Sequence, residues 1–365
     1  MKILSIVGAR PQFIKEFPIH NQLKNSKEFE EVLVHSGQHY DYEMSLVFFE
    51  ELKIPKPNYH LGVGSGNHSQ QTGKIMERLE KVLIKEKPSI VLVYGDTNTT
   101  LAGALSSAKL QIPVAHIEAG LRSFNKKMPE EINRVLTDHI STFFFCPTKT
   151  AVENLKKEGI VSSKKKERYV YLSGDVMEEA LSLVLPKIER SEKILEELNL
   201  KEKKYLLVTI HRAENTDVKE RLEKIFKILQ ALSKDFEIVL PIHPRTKKQI
   251  EKFKIKVPDE LKIINPLSYI KMLSLEKKSY AILTDSGGVQ KEAYWFSVPC
   301  FTLRRETEWV ETLKSGLNRV VDLDLKKIKE GLNNFKFLKK RNRKLKNGAS
   351  KKIVEILKIM LSKST

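Results

Sequence analysis

Short apolar runs recur along the chain between stretches long enough for a helix, and this alternation most constrains the fold. Residues 90–93 and 113–115 form such runs in the first half, and residues 206–210 and 238–242 form them in the second. Near-continuous apolar runs of this length are typical of strands buried on both faces of a parallel sheet. The pattern therefore predicts an α/β fold.

The chain is too long for one core, because it has 365 residues and single cores stop growing near 250–300 residues. We predict two Rossmann-like, doubly wound domains, residues 1–170 and 171–345, with a Ser/Lys-rich break at residues 159–166. The amphipathic helix within residues 346–365 could return to pack on the first domain.

The spacing of apolar side chains also predicts individual elements. We expect a helix over residues 10–23 that Pro18 interrupts, and another over residues 42–52. Late in the chain we expect strands at residues 298–302 and 320–321. These expectations fix where the polar segments lie relative to the strands.

The charge balance raises the question of nucleic-acid binding, because 65 Lys and Arg face 46 Asp and Glu, a formal charge of +19. The excess is spread along the chain, with local runs at Lys164–Lys166 and residues 337–346, and no zinc-finger, RRM or basic-zipper pattern is present. Solvated faces or a polyanionic small substrate explain this charge, so we expect no nucleic-acid partner.

Other compositional features exclude several classes. No apolar run approaches the ~18–20 residues of a membrane span, and residues 1–8 look too short and too strand-like for a signal peptide. Cys146 and Cys300 lie far apart without a CxxC pattern. We therefore expect no membrane association, no disulfide framework and a reducing, cytoplasmic location.

Acidic residues follow two of the predicted strands of the first half. Asp96 comes just after one apolar run and Glu118 just after the next, while Glu131 lies in the segment 129–132. Ligands of open α/β sheets bind outside the carboxyl ends of the strands. These carboxylates are therefore candidates for general acid and base catalysis.

A glycine pair opens a predicted helix in the second half. In residues 284–292, Gly287 and Gly288 allow close approach of a phosphate to free N–H groups, and Ser286 adds a hydroxyl. Glu292 lies one turn further and could bind a ribose diol. An ordinary strand-to-helix turn with Ser286 as N-cap is the structural alternative.

Basic side chains follow three further predicted strands. Arg10 and Lys15 lie in the turn at residues 8–15, and His211 and His243 each follow an apolar strand. These groups could contact a diphosphate, although solvated charges and structural histidines would give the same pattern. No His, Asp and Glu spacing indicates a metal site, and no GxSxG elbow is present.

Taken together, these motifs resemble the non-hydrolysing UDP-N-acetylglucosamine 2-epimerases. The resemblance implies two Rossmann-like domains of GT-B type facing across a cleft that holds the nucleotide, and usually a homodimer. The matching segments span nearly the whole chain in order: residues 8–15, 95–100, 116–122, 129–134, 209–212, 241–244 and 283–292.

The resemblance also implies a reaction, inversion of C2 of the sugar of UDP-GlcNAc to give UDP-ManNAc. UDP leaves by anti elimination to a 2-acetamidoglucal and adds back syn, with neither a cofactor nor a metal. Carried over by motif, Asp96, Glu118 and Glu131 match the acid–base carboxylates and His211 the histidine near the diphosphate. The UDP contacts match Arg10, Lys15, His243, Ser286, Gly287, Gly288 and Glu292.

Some segments depart from the simple GlcNAc members. Residues 302–312, with Ala9 and Gln12, look closer to members that act on UDP-2,3-diacetamido sugars or their uronates. Asp41 replaces the Gln of members with a second, allosteric substrate site, so substrate activation is not expected. The other readings are a hydrolysing 2-epimerase, a GT-B glycosyltransferase and a basic nucleic-acid-binding protein; the clustered carboxylates argue against the glycosyltransferase.

Overall fold

The computed structural model describes residues 1–38, 46–190, 193–335 and 345–362. The chain divides into two compact units: Met1–Leu183 with Lys346–Thr365 forms unit 1, and Val184–Leu345 forms unit 2. Across the described residues, no helix combines the length and the apolar character needed to cross a bilayer.

Unit 1 alternates strands and helices. Its described elements are β1 (Lys2–Val7), α1 (Arg10–Lys24), β2 (Glu30–His35), α2 (Leu46–Leu52), β3 (Tyr59–His60), α3 (His68–Glu86), β4 (Ile90–Tyr94), α4 (Asn98–Lys109), β5 (Val114–Ile117), α5 (Pro129–Ile140), β6 (Phe143–Cys146), α6 (Lys149–Lys157), β7 (Tyr169–Leu172) and α7 (Val176–Arg190), which extends past the boundary. Lys164–Lys166 form a short 3-10 helix before β7.

Unit 2 repeats this alternation. Its described elements are α8 (Lys193–Glu197), β8 (Tyr205–Thr209), α9 (Ala213–Thr216), α10 (Lys219–Leu232), β9 (Glu237–Pro241), α11 (Pro244–Phe253), β10 (Leu261–Ile264), α12 (Tyr269–Lys278), β11 (Ala281–Thr284), α13 (Gly287–Trp295), β12 (Cys300–Thr302), α14 (Val310–Lys314), β13 (Asn318–Val320) and α15 (Leu325–Phe335). The final helix, α16 (Ala349–Leu361), belongs to unit 1 and packs on α1.

Both sheets are wound in two directions from a central pair of strands. In the described residues the first sheet has the order β3-β2-β1-β4-β5-β6-β7 and the second has the order β10-β9-β8-β11-β12-β13. The strand pairs are parallel throughout these two orders. The predicted α/β fold with two doubly wound sheets is confirmed, and each sheet has one switch point, between β1 and β4 and between β8 and β11.

Helix α1 corrects one expectation, because it continues through Pro18 to Lys24. A proline inside a helix costs one backbone hydrogen bond and about 3 kcal/mol. Phe17, Pro18 and Ile19 are all buried along this helix, and burial of two large apolar side chains offsets a cost of that size at about 1.5–3 kcal/mol each.

The last strands also differ from expectation. Strand β12 begins at Cys300, not at residue 298, because Pro299 has no N–H to donate to a neighbouring strand. Strand β13 ends at Val320 and begins two residues earlier than the apolar pair 320–321 suggests. The expected helix at 42–52 is described only from Leu46, and residues 39–45 lie outside the described residues.

Each unit carries one cysteine inside its core. Cys146 ends β6 in unit 1 and Cys300 begins β12 in unit 2, and both are free and buried. Burial raises the pKa of both thiols. Neither thiol is therefore in a reactive setting while its unit is folded.

Candidate active site

The carboxyl ends of β4 and β5 bring two predicted carboxylates side by side. Tyr94 pairs with Ile117 in the sheet, and the N–H of Gly95 donates to the carbonyl of Ile117 at 2.9 Å. Asp96 and Glu118 therefore follow directly at neighbouring strand ends, beside the switch point of the sheet. This is the placement that the sequence pattern predicted for them.

Glu118 is held by a buried ion pair. Its Oε1 accepts from Lys15 Nζ at 2.6 Å, and both side chains are almost inaccessible to solvent. Glu118 itself has a φ of +74°, a left-handed conformation that a non-glycine residue rarely adopts. A Cβ on Gly95 would lie 2.7 Å from Lys15 Nζ, so a larger residue there would displace the lysine end of this ion pair. The resemblance matched Lys15 to a UDP contact, and in the structure its amine contacts Glu118.

Arg134 on α5 links the other two carboxylates. Its Nη2 donates to Asp96 Oδ2 at 2.5 Å, and its Nη1 lies 3.2 Å from Glu131 Oε2. Glu131 also accepts hydrogen bonds from the N–H and hydroxyl of Ser123 and from the N–H of Phe124, each at 2.9 Å. Glu131 thus braces Arg134 and the loop before α5, whereas Asp96 keeps a quarter of its side chain exposed.

A buried imidazole holds the backbone next to Asp96. His116 Nε2 lies 2.7 Å from the carbonyl of Gly95, and its Nδ1 lies 2.7 Å from Asp138 Oδ1. Burial alone would raise the pKa of Asp138, but His116 and Arg122 bring it below its ordinary value, so the carboxylate is charged. Both partners of His116 can then only accept, so a hydrogen bond at either contact is donated by the ring.

The turn after β1 is fixed to the same strand end. Gln12 Oε1 accepts from the N–H groups of Gly8 and Ala9, and its Nε2 donates to the carbonyl of Tyr94 at 3.1 Å. Arg10, at the start of α1, lies with its guanidinium 5.2 Å from the ring centre of Phe48. The turn that carries Arg10 is therefore rigidly placed beside the end of β4.

In unit 2, a buried aspartate organises the end of β8. The carboxylate of Asp285 accepts from the N–H groups of His211 and Arg212 and from the side chain of Asn215, at 3.0–3.2 Å. Burial raises the pKa of Asp285, and these hydrogen bonds lower it only partly. The ring of His211 is a third exposed, with Nδ1 3.5 Å from Asp285 Oδ1.

His243 lies next to His211 at the following strand end. Its ring centre is 5.4 Å from that of His211, and its Nδ1 accepts from the N–H of Arg245 as the N-cap of α11. Because Nδ1 is an acceptor, the neutral ring carries its proton on Nε2. His243 can therefore donate to an anion while it caps the helix.

The glycine pair opens α13, as the sequence predicted. Ser286 is the N-cap, and its hydroxyl accepts from the N–H of Val289 at 3.5 Å. A Cβ on Gly287 would lie 2.6 Å from Glu308 Oε1 and 3.0 Å from Trp309 Nε1. Gly288 follows in the first turn, where N–H groups and the helix dipole favour an anion. Glu292 is buried one turn later.

Several neighbours of the predicted site residues were not themselves predicted as site residues. Arg304 is fully buried and pairs with Glu308 at 3.0 Å, and Lys291 lies 4.0 Å from the ring centre of Trp309. These contacts place residues 304–309 over the start of α13. Arg134 could have been found from its spacing of three residues after Glu131, whereas His116 and Asp138 meet only in the folded sheet.

The predicted site residues thus form one group in each unit. Unit 1 assembles Lys15, Asp96, Glu118 and Glu131 around the end of β4, with Arg10 in the adjoining turn; unit 2 assembles His211, His243, Ser286 and Gly287 at the strand ends. The first group offers carboxylates held by cations, suited to proton transfer, and the second offers anion donors. Cavities of about 260 and 520 Å³ border neither group.

Comparison with known proteins gives matches over almost the full length. The sequence profile of the UDP-N-acetylglucosamine 2-epimerase family matches residues 21–358. A UDP-N-acetylglucosamine 2-epimerase homolog of Methanococcus maripaludis is 53% identical over 98% of this chain and 99% of its own. The UDP-2,3-diacetamido-2,3-dideoxy-D-glucuronate 2-epimerase of Pseudomonas aeruginosa is 47% identical over 88% of each chain.

A solved structure matches equally well. The crystal structure of Methanocaldococcus jannaschii UDP-GlcNAc 2-epimerase in complex with UDP-GlcNAc and UDP superposes with a TM-score of 0.92 at 44% identity. The match covers 98% of this chain and 100% of that one.

Proposed function

Since the chain belongs to the UDP-N-acetylglucosamine 2-epimerase family, we propose that it is a non-hydrolysing epimerase that interconverts UDP-GlcNAc and UDP-ManNAc. The observation that carries this proposal is that Asp96 and Glu118 follow the ends of two adjacent strands. Lys15 holds Glu118 and Arg134 holds Asp96. The solved relative that binds UDP-GlcNAc and UDP supports the substrate class.

The proposed reaction moves one proton and one nucleotide. A base removes the C2 proton, the C1–O bond breaks with UDP leaving on the opposite face, and a C1–C2 double bond forms in the 2-acetamidoglucal. A proton then enters C2 from the other face while a diphosphate oxygen of UDP returns to C1. The two C2 steps need one base and one acid, which is the work of two positioned carboxyl groups.

The residues of unit 1 take the proton-transfer roles in this proposal. Asp96 and Glu118 are the two exchanging groups, since each follows a strand end and is held by a cation. Glu131 acts through Arg134, because its oxygens are already occupied by Ser123, Phe124 and Arg134. Because these contacts fix the positions of the carboxylates, each can be held close to the reacting C2 atom in a near-attack geometry.

The residues of unit 2 hold the nucleotide. His211 and His243 donate to the diphosphate that carries the departing charge. The N–H groups at Gly287 and Gly288 and the Ser286 hydroxyl donate to its other oxygens. Glu292 binds the ribose diol. Arg10 is a further candidate for phosphate binding, because its planar guanidinium fork suits phosphate.

The test is proton NMR of the purified protein with UDP-GlcNAc in D₂O. We expect UDP-ManNAc to form and deuterium to enter C2 of both sugars, because the base exchanges its proton with solvent before C2 is reprotonated. UDP-ManNAc that forms without any C2 deuterium would contradict solvent-exchanging elimination. No turnover of any UDP-N-acetyl sugar would overturn the proposal.

The same samples separate the hydrolysing reaction from the reversible one. A non-hydrolysing enzyme reaches an equilibrium mixture of the two UDP-sugars. The amount of free UDP then does not exceed the amount of the glucal intermediate. Free UDP that rises in step with free ManNAc would show instead that water competes successfully with UDP for the glucal.

A second substrate is favoured by one local feature. Arg304 and Glu308 place residues 304–309 against Gly287, and this segment resembles members acting on diacetamido sugars. The 47% identity to the Pseudomonas aeruginosa enzyme supports the same candidate. Comparing kcat/KM for UDP-GlcNAc and UDP-2,3-diacetamido-2,3-dideoxyglucuronate decides between them. A ratio of the two values above about 10² identifies the preferred substrate, and it corresponds to a difference in transition-state binding of about 2.7 kcal/mol.

We also propose a cytoplasmic homodimer that serves cell-envelope or glycan synthesis. The two free, buried cysteines suit a reducing compartment. Light scattering after size exclusion tests the assembly, and a mass of one chain, 42.1 kDa, would contradict it.

A further inference from the structure

A second polar cluster of unit 1 lies beneath α1, toward the amino ends of the strands. Glu16 and His20 project from α1 and Glu31 from the start of β2. One potential ligand atom from each side chain lies within 4.8 Å of the other two. The cluster lies toward the amino ends of the strands, whereas Asp96 and Glu118 follow their carboxyl ends. The proposed reaction does not use it.

Glu16 is the unusual member of this cluster. Its side chain is fully buried, and neither carboxylate oxygen has a hydrogen-bond donor among the described residues. Burial, together with the carboxylate of Glu31, raises the pKa of Glu16 well above its ordinary value. A buried carboxylate without a partner is costly, so this position calls for a cation or a proton between the two carboxyl groups.

The neighbouring groups are oriented toward the same point. His20 Nδ1 lies 2.6 Å from Glu31 Oε2, and Ser5 Oγ donates to Glu31 Oε1 at 2.9 Å. Ser5 is held in turn by Tyr94 Oη at 3.1 Å. Outer hydrogen bonds of this kind are typical of ligand sets, where they fix the direction of a carboxylate.

The backbone supports a shared site. Glu16 and His20 are four residues apart and therefore lie on one face of α1, and Glu31 lies on a strand. Bonds of about 2.0–2.2 Å to a tetrahedral metal place ligand atoms about 3.3–3.6 Å apart. The His20–Glu31 contact of 2.6 Å would therefore open by about 0.7–1.0 Å. Side-chain rotation alone provides a movement of that size.

A cavity provides the remaining coordination position. Its volume is about 260 Å³, and His20 and Glu31 contribute to its lining, together with Lys24, Lys56 and Asn58. A water or a small anion could reach the cluster from this cavity. Lys24 and Lys56 would favour an anion.

We propose that Glu16, His20 and Glu31 form a structural site for one divalent transition-metal ion, Zn²⁺ in the first place. Two carboxylates neutralise the ion, an imidazole suits its borderline softness, and water or an anion from the cavity completes four ligands. The ion fastens α1 to β2.

The test is titration of Zn²⁺ into full-length protein previously treated with chelator, followed by calorimetry and metal analysis. We expect one Zn²⁺ per chain and a higher Tm. Glu16→Gln and His20→Gln should each weaken binding by at least about 100-fold, and Ser5→Ala by about 10–100-fold. His139→Gln, at a half-exposed histidine, is the matched control and should bind as before.

Circular dichroism first establishes that each variant is folded, and because three different residues are tested, one unfolded variant leaves the other two informative. Absence of stoichiometric Zn²⁺ binding would overturn the proposal, as would Zn²⁺ bound equally well by Glu16→Gln and His20→Gln. If neither the parent nor Glu16→Gln binds metal, and the variant is the more stable of the two, the proposal is overturned. The two carboxyl groups then share a proton instead.

Discussion

At the scale of single residues, the carboxylates of unit 1 are defined by the cations against them. The sequence predicted Asp96 and Glu118 from their places after apolar runs, and Glu131 from its place in the segment 129–132. It did not predict that Lys15 pairs with Glu118, because 103 residues separate the two and no local pattern connects them. The sequence places side chains along a strand, and the fold decides which cation meets which carboxylate.

Asp96 should be needed for chemistry more than for binding. We expect Asp96→Asn to lower kcat by about 10²–10⁴-fold, the usual loss for an acid–base group, with KM and UDP affinity nearly unchanged. Steady-state kinetics and UDP calorimetry measure both quantities. Glu130→Gln is a control at a neighbouring carboxyl of α5 and should retain activity. A fully active Asp96→Asn would remove Asp96 from the proposed chemistry.

The Lys15–Glu118 pair should be strongly coupled in stability. Lys15→Met and Glu118→Gln should each lower the free energy of unfolding by about 3–5 kcal/mol, because each change disrupts a buried ion pair. The double variant should lose less than the sum. Urea unfolding of the four proteins gives the coupling. The exposed pair Lys351–Glu355 supplies a control cycle whose coupling should be within error; additive losses at Lys15 and Glu118 would contradict the buried pair.

At the scale of elements, apolar runs predicted the buried strands well and the exposed ones poorly. Strand β4 is fully buried and was evident from its sequence. Strand β7 at the sheet edge, Tyr169–Leu172, is half-buried or exposed along its length and was not predicted. Strand β3 has two residues, too few for any periodicity. The strands that carry the site were therefore predictable, because burial on both faces leaves a strong apolar signal.

Helix α16 begins without a side-chain cap of its own. Gly348 is its N-cap, and the carboxylate of Glu179 on α7 accepts from the N–H and the hydroxyl of Ser350 at 2.7 and 2.9 Å. A carboxylate at this end also interacts favourably with the positive end of the helix dipole. One side chain of α7 thus replaces the missing cap.

Removing that carboxylate should loosen α16. We expect Glu179→Ala to lower the free energy of unfolding by about 1–3 kcal/mol, the cost of buried polar groups left without partners. Hydrogen exchange should speed up first at residues 349–352. Ser350→Ala keeps the N–H bond and should cost less, so an equal or larger effect of Ser350→Ala would argue against capping by Glu179.

At the scale of the whole molecule, the buried acid under α1 should give stability a pH dependence. The folded pKa of Glu16 is raised above 4.5, chiefly by burial. Above that pH the native state holds a proton that the unfolded chain has lost, so stability falls as pH rises, by up to about 1.4 kcal/mol per pH unit. The stability that the protonated Glu16 contributes is fully present below pH 4.5. It is lost as the pH rises through the raised pKa of Glu16.

Glu16→Gln should remove that part of the slope. Urea unfolding between pH 5 and 8, with chelator present, should give a flatter curve for the variant than for the parent. Glu80→Gln, at an exposed carboxyl of α3, is the control and should follow the parent. Parallel curves for the parent and Glu16→Gln would show that Glu16 does not retain its proton.

The two cysteines allow the opening rate of each unit to be measured separately. Cys146 and Cys300 are the only thiols of the chain, one in the core of each unit, and burial keeps both protonated. An alkylating reagent can modify either sulfur only when the surrounding unit opens. Peptide mass spectrometry after timed labelling would therefore read two opening rates from one sample, without an engineered probe. Ligand that slows labelling at one cysteine alone would show which half it stabilises.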